Sequence, residues 1–166
     1  MKNDLSFYVI YPKANPENHK NVFDIQVFVP SLFKLSLHKS NGLRDLCWYL
    51  CCLGKYHIVY VYKNGELMHH SYTIEKNPRM PFMQKNSICI INSFTVPKYR
   101  NQGVFSEVLS FVNQFYAHKT KYIFVNNENL SSKKAIENAN FTLIGQGREQ
   151  KISKIYTINE PVYSVF

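Results

Sequence analysis

Apolar residues along this chain keep changing period, and each change marks a predicted element. Phe23, Ile25, Val27 and Val29 alternate with Asp24 and Gln26 before Pro30, a period of two that predicts a strand. Leu43, Leu46, Cys47, Leu50 and Leu53 then recur at three and four residues, with Asn41-Gly42 in front and Gly54 behind. That spacing predicts a helix capped by Asn41 and stopped by a glycine. "YHIVYVYKNGELMHHSYTI" predicts strands at 56 to 62 and 67 to 74 around Asn64-Gly65, a pair that accepts the positive φ angles of a tight hairpin.

"EKNPRMPFMQKN", with two prolines, reads as a loop, and "SICIINSFTV" as a buried strand. Val104, Val108, Phe111, Val112 and Phe115 line one face of a second helix. "KYIFVN" predicts a strand, "NLSSKKAIENANF" a short helix, and "FTLIG" and "KIYTIN" two more strands. Strands first, then strand-helix-strand-helix-strand, predict a mixed α/β sheet with helices on its faces. Ligands of such sheets lie beyond the carboxyl ends of strands. The stretch "TVPKYRNQGVFSEVL" sits at such an end.

Length and composition narrow the reading. A chain of 166 residues, 45% hydrophobic, fits one domain over 1 to 166. No apolar run reaches the roughly 18 residues that span a bilayer, and "MKNDLSFYVIY" is too short an apolar stretch for a secretory signal, so a cytoplasmic protein without membrane insertion is expected. Cys47, Cys51, Cys52 and Cys89 have no C-x-x-C spacing; reduced thiols are expected, with no disulfide framework and no metal. A net charge of +9 leaves nucleic acid, an anionic surface, a phosphate-bearing cofactor and simple solvation all open.

At a helix N-terminus the first backbone N–H groups lack partners and the peptide dipoles add partial positive charge, so anions bind there. Gly103 lets a ligand approach the backbone, and Lys98 and Arg100 add formal charge. A plain strand-to-helix turn flanked by solvated cations is the alternative. The G-x-x-x-x-G-K-[ST] loop is missing, and "GQGREQ" carries Gln150 where a dinucleotide fingerprint needs its third glycine.

"VPKYRNQGVF" resembles the acyl-CoA motif of the GNAT superfamily of N-acyltransferases, with Arg100, Asn101, Gln102, Gly103, Val104 and Phe105 in its positions. Phe105 departs from the usual small residue and is similar to the aromatic of a branch common in bacterial surface-polysaccharide gene clusters. Asn129, Ser132 and Phe141 match a second GNAT pattern, and the resemblance covers 56 to 145 well and 1 to 55 poorly. It implies an α+β fold with a mixed, mostly antiparallel central sheet and helices on both faces. It implies acetyl transfer from acetyl-CoA to a primary amine, with a nucleotide-linked amino sugar or polysaccharide precursor as the small-molecule acceptor.

In that family, backbone groups at Phe94, Thr95 and Val96 would pair with pantetheine, and the amides of Asn101 to Phe105 would hold the pyrophosphate. Asn129 and Ser132 would lie near the arm or cap the second helix, with Lys133 or Lys134 on the 3′-phosphate. CoA would then account for part of the basic surplus, so no nucleic-acid partner is expected; a homodimer stays open. Chemistry is less well provided. Ile136 stands where many members carry an acidic tyrosine, and "CIINSFTV" has only Asn92 and Ser93 where many carry a glutamate base. A base would come from His69 or His70, at most one of which faces a cleft, or less readily from Glu66 or Glu75. A CoA-binding domain without catalysis is the second reading, and a basic nucleic-acid-binding protein the third.

Overall fold

The structure, a computed structural model, describes residues 4–12, 22–38, 42–75, 77, 79–150 and 155–161. In chain order its elements are β1 (Leu5–Ile10), β2 (Asp24–Phe28), α1 (Gly42–Cys51), β3 (Tyr56–Lys63), β4 (Glu66–Ile74), β5 (Ser87–Thr95), a 3-10 turn (Pro97–Tyr99), α2 (Val104–Phe115), β6 (Thr120–Asn126), α3 (Leu130–Asn138), β7 (Thr142–Glu149) and β8 (Tyr156–Pro161). The eight strands form one sheet in the order β2-β3-β4-β5-β6-β1-β7-β8. Every pairing is antiparallel except β5 with β6. A parallel pair needs a crossover, and α2 supplies it.

The hairpin between β3 and β4 turns on Asn64 and Gly65, both at positive φ (52° and 79°), the geometry that an Asn-Gly pair accepts. Two apolar layers enclose the sheet. On one face Val104, Val108, Leu109 and Val112 of α2 and Ile136 of α3 pack on Tyr8, Val59, Ile88, Ile90 and Ile123. Burying an aliphatic side chain of this size contributes about 1.5–3 kcal/mol, so α2 is anchored by its sheet-facing stripe rather than by propensity. On the other face Trp48 and Tyr49 of α1 and Met80, Phe82 and Met83 of the segment between β4 and β5 cover Phe7, Ile58, Ile74 and Tyr122.

Three sequence expectations need correction. "LSFYVI" was expected only to be too short for a signal, yet it is β1, inserted between β6 and β7, with Phe7 and Tyr8 fully buried. In α1 the expected apolar stripe does not all face inward: Leu50 and Leu53 are exposed, and Trp48, Tyr49 and Cys52 make the contact. The Asn41 cap lies outside the described residues. The strand expected at "FTLIG" continues to Glu149, because Gly147 lets β8 cross close by; a Cβ there would sit 1.8 Å from the Thr157 carbonyl oxygen. Among the described residues no helix is long and apolar enough to cross a membrane, and no group of three His, Cys, Asp or Glu is placed to hold a metal.

Candidate functional site

β5 and β6 pair only from Ser87–Ile90 to Thr120–Ile123. Beyond Ile90 β5 stays with β4, and β6 stays with β1 as far as Asn126. The two parallel strands therefore part, and the N-termini of α2 and α3 point into the gap. A cavity of about 450 Å³ opens there, lined by Ser93, Phe94, Thr95, Tyr99, Arg100, Asn101, Gly103, Val104, Phe105 and Ser106 on the β5-α2 side and Asn129, Ser131, Ser132 and Ala135 on the α3 side.

The turn into α2 is built for open donors. Asn101 (φ 60°) and Gly103 (φ 74°) are both left-handed, and Gly103 is the N-cap with no side chain to offer. Alternating left-handed residues aim successive N–H groups into one concavity. The first N–H with a backbone acceptor is that of Glu107, to the Gly103 carbonyl (3.0 Å), so the amides of Val104, Phe105 and Ser106 precede the helical ladder. A Cβ on Gly103 would meet no atom within 4 Å, so glycine is required there by φ and not by space. At α3 the Asn129 side chain accepts from the Ser132 N–H and the Ser131 hydroxyl, each at 3.1 Å.

Of the cofactor-contact residues expected from the resemblance, Val96, Gln102 and the two lysines Lys133 and Lys134 do not line this cavity, and the rest do. Val96 donates its N–H to the Met68 carbonyl (2.9 Å) and accepts from Tyr99 (2.9 Å), so its backbone is committed to β4 and the 3-10 turn. By strand alternation Thr95 presents its backbone to the gap, where Arg100 Nε already donates to its carbonyl (3.2 Å). Gln102 folds back to donate to the Lys98 carbonyl (3.0 Å). Lys98 does not add its charge freely to the cradle; it pairs with Glu66, which also accepts from the Tyr99 hydroxyl. Sequence reasoning did not assign Ser93, Tyr99, Ser106 or Ser131 to the site. The parting of β5 and β6, which places them together, has no local sequence signal.

The two histidines diverge. His69 faces α2, is 1% exposed, and lies between the hydroxyls of Thr95 (Nδ1, 2.7 Å) and Ser71 (Nε2, 2.6 Å). Burial, with a smaller contribution from His70, pushes its pKa down to about 3, so the ring is neutral near neutral pH. His70 is on the opposite face, half-buried between Tyr72 and Phe94 with ring centroids at 6.1 and 5.7 Å. Glu66 is held ionised chiefly by its hydrogen bond to Lys98, and Glu75, at the far end of β4, by its bond to Lys119 (2.7 Å). Neither lines the cavity. Ile136 is 1% exposed in the core and has no proton to give. Cys89 is fully buried, and burial raises its thiol pKa to about 12, which excludes it as a nucleophile.

β5 also carries a bulge. His70 pairs with Phe94 and Tyr72 with Ile91, so two β5 residues stand opposite one of β4, and Asn92 takes φ 49°. The bulge falls where β6 has already departed, at the inner end of the gap.

No protein-family model matches the sequence, and no curated protein matches it. Solved structures do. A conserved protein of unknown function from Staphylococcus epidermidis aligns with a TM-score of 0.61 at 16% identity over 88% of this chain and 60% of its own. A GCN5-related N-acetyltransferase from Sphaerobacter thermophilus gives 0.58 at 13% identity, covering 87% of this chain and 50% of that one. An acetyltransferase of the GNAT family from Colwellia psychrerythraea gives 0.57 at 16% identity, covering 86% and 53%. This chain thus spans half to three-fifths of the length of these structures. The likeness establishes the fold: a mixed, mostly antiparallel sheet with helices on both faces.

Proposed function

We propose that the chain is an acyl-CoA N-acetyltransferase that moves an acetyl group from acetyl-CoA to a primary amine. The observation that carries this reading is the open start of α2: uncapped amides from Val104 to Ser106, two left-handed residues and Arg100, all beside a strand edge that has lost its neighbour. Acetyl-CoA fits that donor set. Its pyrophosphate would lie on the α2 amides, as phosphates do at helix N-termini, and its amide-bearing arm would run along β5 at Thr95 as a strand would. A nucleotide-linked amino sugar or related polysaccharide precursor is the acceptor proposed, from the similarity of Phe105 to the aromatic of that branch.

Attack by the amine forms a carbon–nitrogen bond and puts negative charge on the thioester oxygen. A backbone N–H at the Asn92 bulge, beyond the reach of β6, is the donor proposed for that oxygen. The amine arrives as an ammonium ion and sheds its first proton to solvent before it attacks.

A second reading, a CoA-binding domain without catalysis, is favoured by the buried alkyl group of Ile136 and by the engagement of Glu66 and Glu75 elsewhere. Two measurements separate the readings. Acetyl-CoA at a hundred times its Kd is expected to stabilise the protein by about 2.7 kcal/mol in a thermal melt. Thiol release from acetyl-CoA with a panel of primary amines, amino sugars included, is expected to reveal turnover. Stabilisation without turnover on any amine would select the binding domain; no stabilisation would overturn both.

A further inference from the structure

His69 is the centre of a hydrogen-bonded chain whose two ends lie on the same cavity wall. Thr95 Oγ1 is 2.7 Å from Nδ1, Ser71 Oγ is 2.6 Å from Nε2, and Ser71 donates to Ser93 Oγ at 2.8 Å. Thr95 and Ser93 line the cavity, whereas Ser71 is wholly buried and His69 1% exposed. Counting hydrogens fixes the direction. Ser71 has one, given to Ser93, so it must accept from Nε2–H; a neutral ring then has a bare Nδ1, which accepts from the Thr95 hydroxyl. Ser93 keeps its own proton for the cavity, and Thr95 keeps lone pairs for it. The chain accepts at one end and donates at the other.

We propose that Thr95, His69, Ser71 and Ser93 form a proton relay that carries the second proton of the attacking amine to the departing thiolate, an assignment that rests on the acyltransferase reading. As the carbon–sulfur bond breaks, the nitrogen gives a proton to Thr95 Oγ1, Thr95 gives its own to Nδ1, Nε2 gives its proton to Ser71, Ser71 to Ser93, and Ser93 to sulfur. Each hydroxyl ends with one hydrogen, His69 ends in its other tautomer, and the net transfer is one proton from nitrogen to sulfur. Water in the emptied cavity runs the chain backwards, giving a proton at Ser93 and taking one at Thr95.

Geometry and environment suit this task. Residues two apart on a strand face are about 7 Å apart, a span that brackets a tetrahedral carbon bearing nitrogen and sulfur with one hydrogen bond on each side. The Phe105 ring stacks on the His69 ring at 5.8 Å and 29°. Phe105 therefore seals the imidazole from water, which gives a physical role to the one residue of the α2 turn that departs from the small-residue pattern. A neutral, buried imidazole with a hydroxyl at each nitrogen is a conduit and not a free base. The relay also supplies a proton to the thiolate where Ile136 cannot.

The test begins with His69→Gln, whose amide can keep both hydrogen bonds but cannot exchange a proton between its ends, and with Ser93→Ala and Thr95→Val at the exposed ends. Each is expected to lower kcat on the order of a hundredfold while KM for acetyl-CoA and the acetyl-CoA melt shift stay near wild type; Thr95→Ser restores the rate. NMR of the imidazole nitrogens in the free protein is expected to show His69 as the neutral Nε2–H tautomer at neutral pH. Wild-type kcat in Ser93→Ala or His69→Gln, or an Nδ1–H or doubly protonated ring, would overturn the relay alone. Failure of acetyl-CoA to stabilise the wild-type protein would overturn the acyltransferase reading, and the relay with it.

Discussion

The two helices that point into the cavity begin in opposite ways. α3 is capped by its own chain: Asn129 accepts from the Ser132 amide, as a cap should, and the Leu130 and Lys133 amides find backbone acceptors at Glu128 and Asn129. α2 begins on a left-handed glycine with no capping side chain, preceded by a second left-handed residue, Asn101. A structural helix start gains about 1 kcal/mol from a cap, so the absence of one where Ser, Thr, Asp or Asn would serve leaves donors for something outside the chain. The contrast sets a helix start closed by a side chain beside one left open within one cavity.

The largest way to break the contrast is Gly103→Val. A β-branched residue at φ 74° costs roughly 1–2 kcal/mol in strain and drives the turn out of shape, so acetyl-CoA affinity is expected to fall on the order of a hundredfold in a calorimetric titration. Gly103→Ala meets no atom and is expected to lose less.

What α2 covers gives the next effect. The folded pKa of His69 is about 3, against about 6.5 for a free histidine, so between these values the unfolded chain binds one more proton than the folded one. Stability therefore rises with pH through this window and falls on acidification, by about 1.4 kcal/mol per pH unit from this group. His57, its pKa also lowered by burial, adds to the same slope. Urea denaturation at a series of pH values is expected to show the decline, and His69→Gln to flatten it.

Arg100→Ala removes the guanidinium that holds the Thr95 carbonyl and lies beside the α2 amides. About a tenfold loss of acetyl-CoA affinity is expected, with a shallower salt dependence than wild type. The smallest effect is on the closed side: Asn129→Ala is expected to cost about 1 kcal/mol of stability while acetyl-CoA affinity changes less than with Gly103→Val or Arg100→Ala. Equal losses of affinity from Asn129→Ala and Gly103→Val would erase the distinction between the two termini.

Much of the core was legible because its signals are local. The Asn64-Gly65 turn, the β4 and β5 strands and the Val104-Val108-Val112 stripe of α2 all follow from φ preferences or periodicity within a few residues, although Phe115 of the expected stripe is exposed and Leu109 is buried in addition. β1 was not legible, because a strand buried on both faces has no alternation to read; "LSFYVI" is one short apolar run. Nor could alternation alone decide which histidine faces α2. Irregularities in the β3–β4 and β4–β5 pairing, near Met68 and Asn92, set the side-chain phase on these strands, and a one-residue slip would exchange the faces.

By itself the sequence determined a glycine turn at Arg100 to Phe105 feeding an amphipathic helix, because glycine and helix-start chemistry act over neighbouring residues. Only the tertiary structure decided that β1 enters the middle of the sheet and pairs with β6, that β5 and β6 part beyond Ile90, and that Thr95, His69, Ser71 and Ser93 share one hydrogen-bonded chain. Those facts depend on strand order and register, set by which apolar surfaces bury one another across more than a hundred residues of chain.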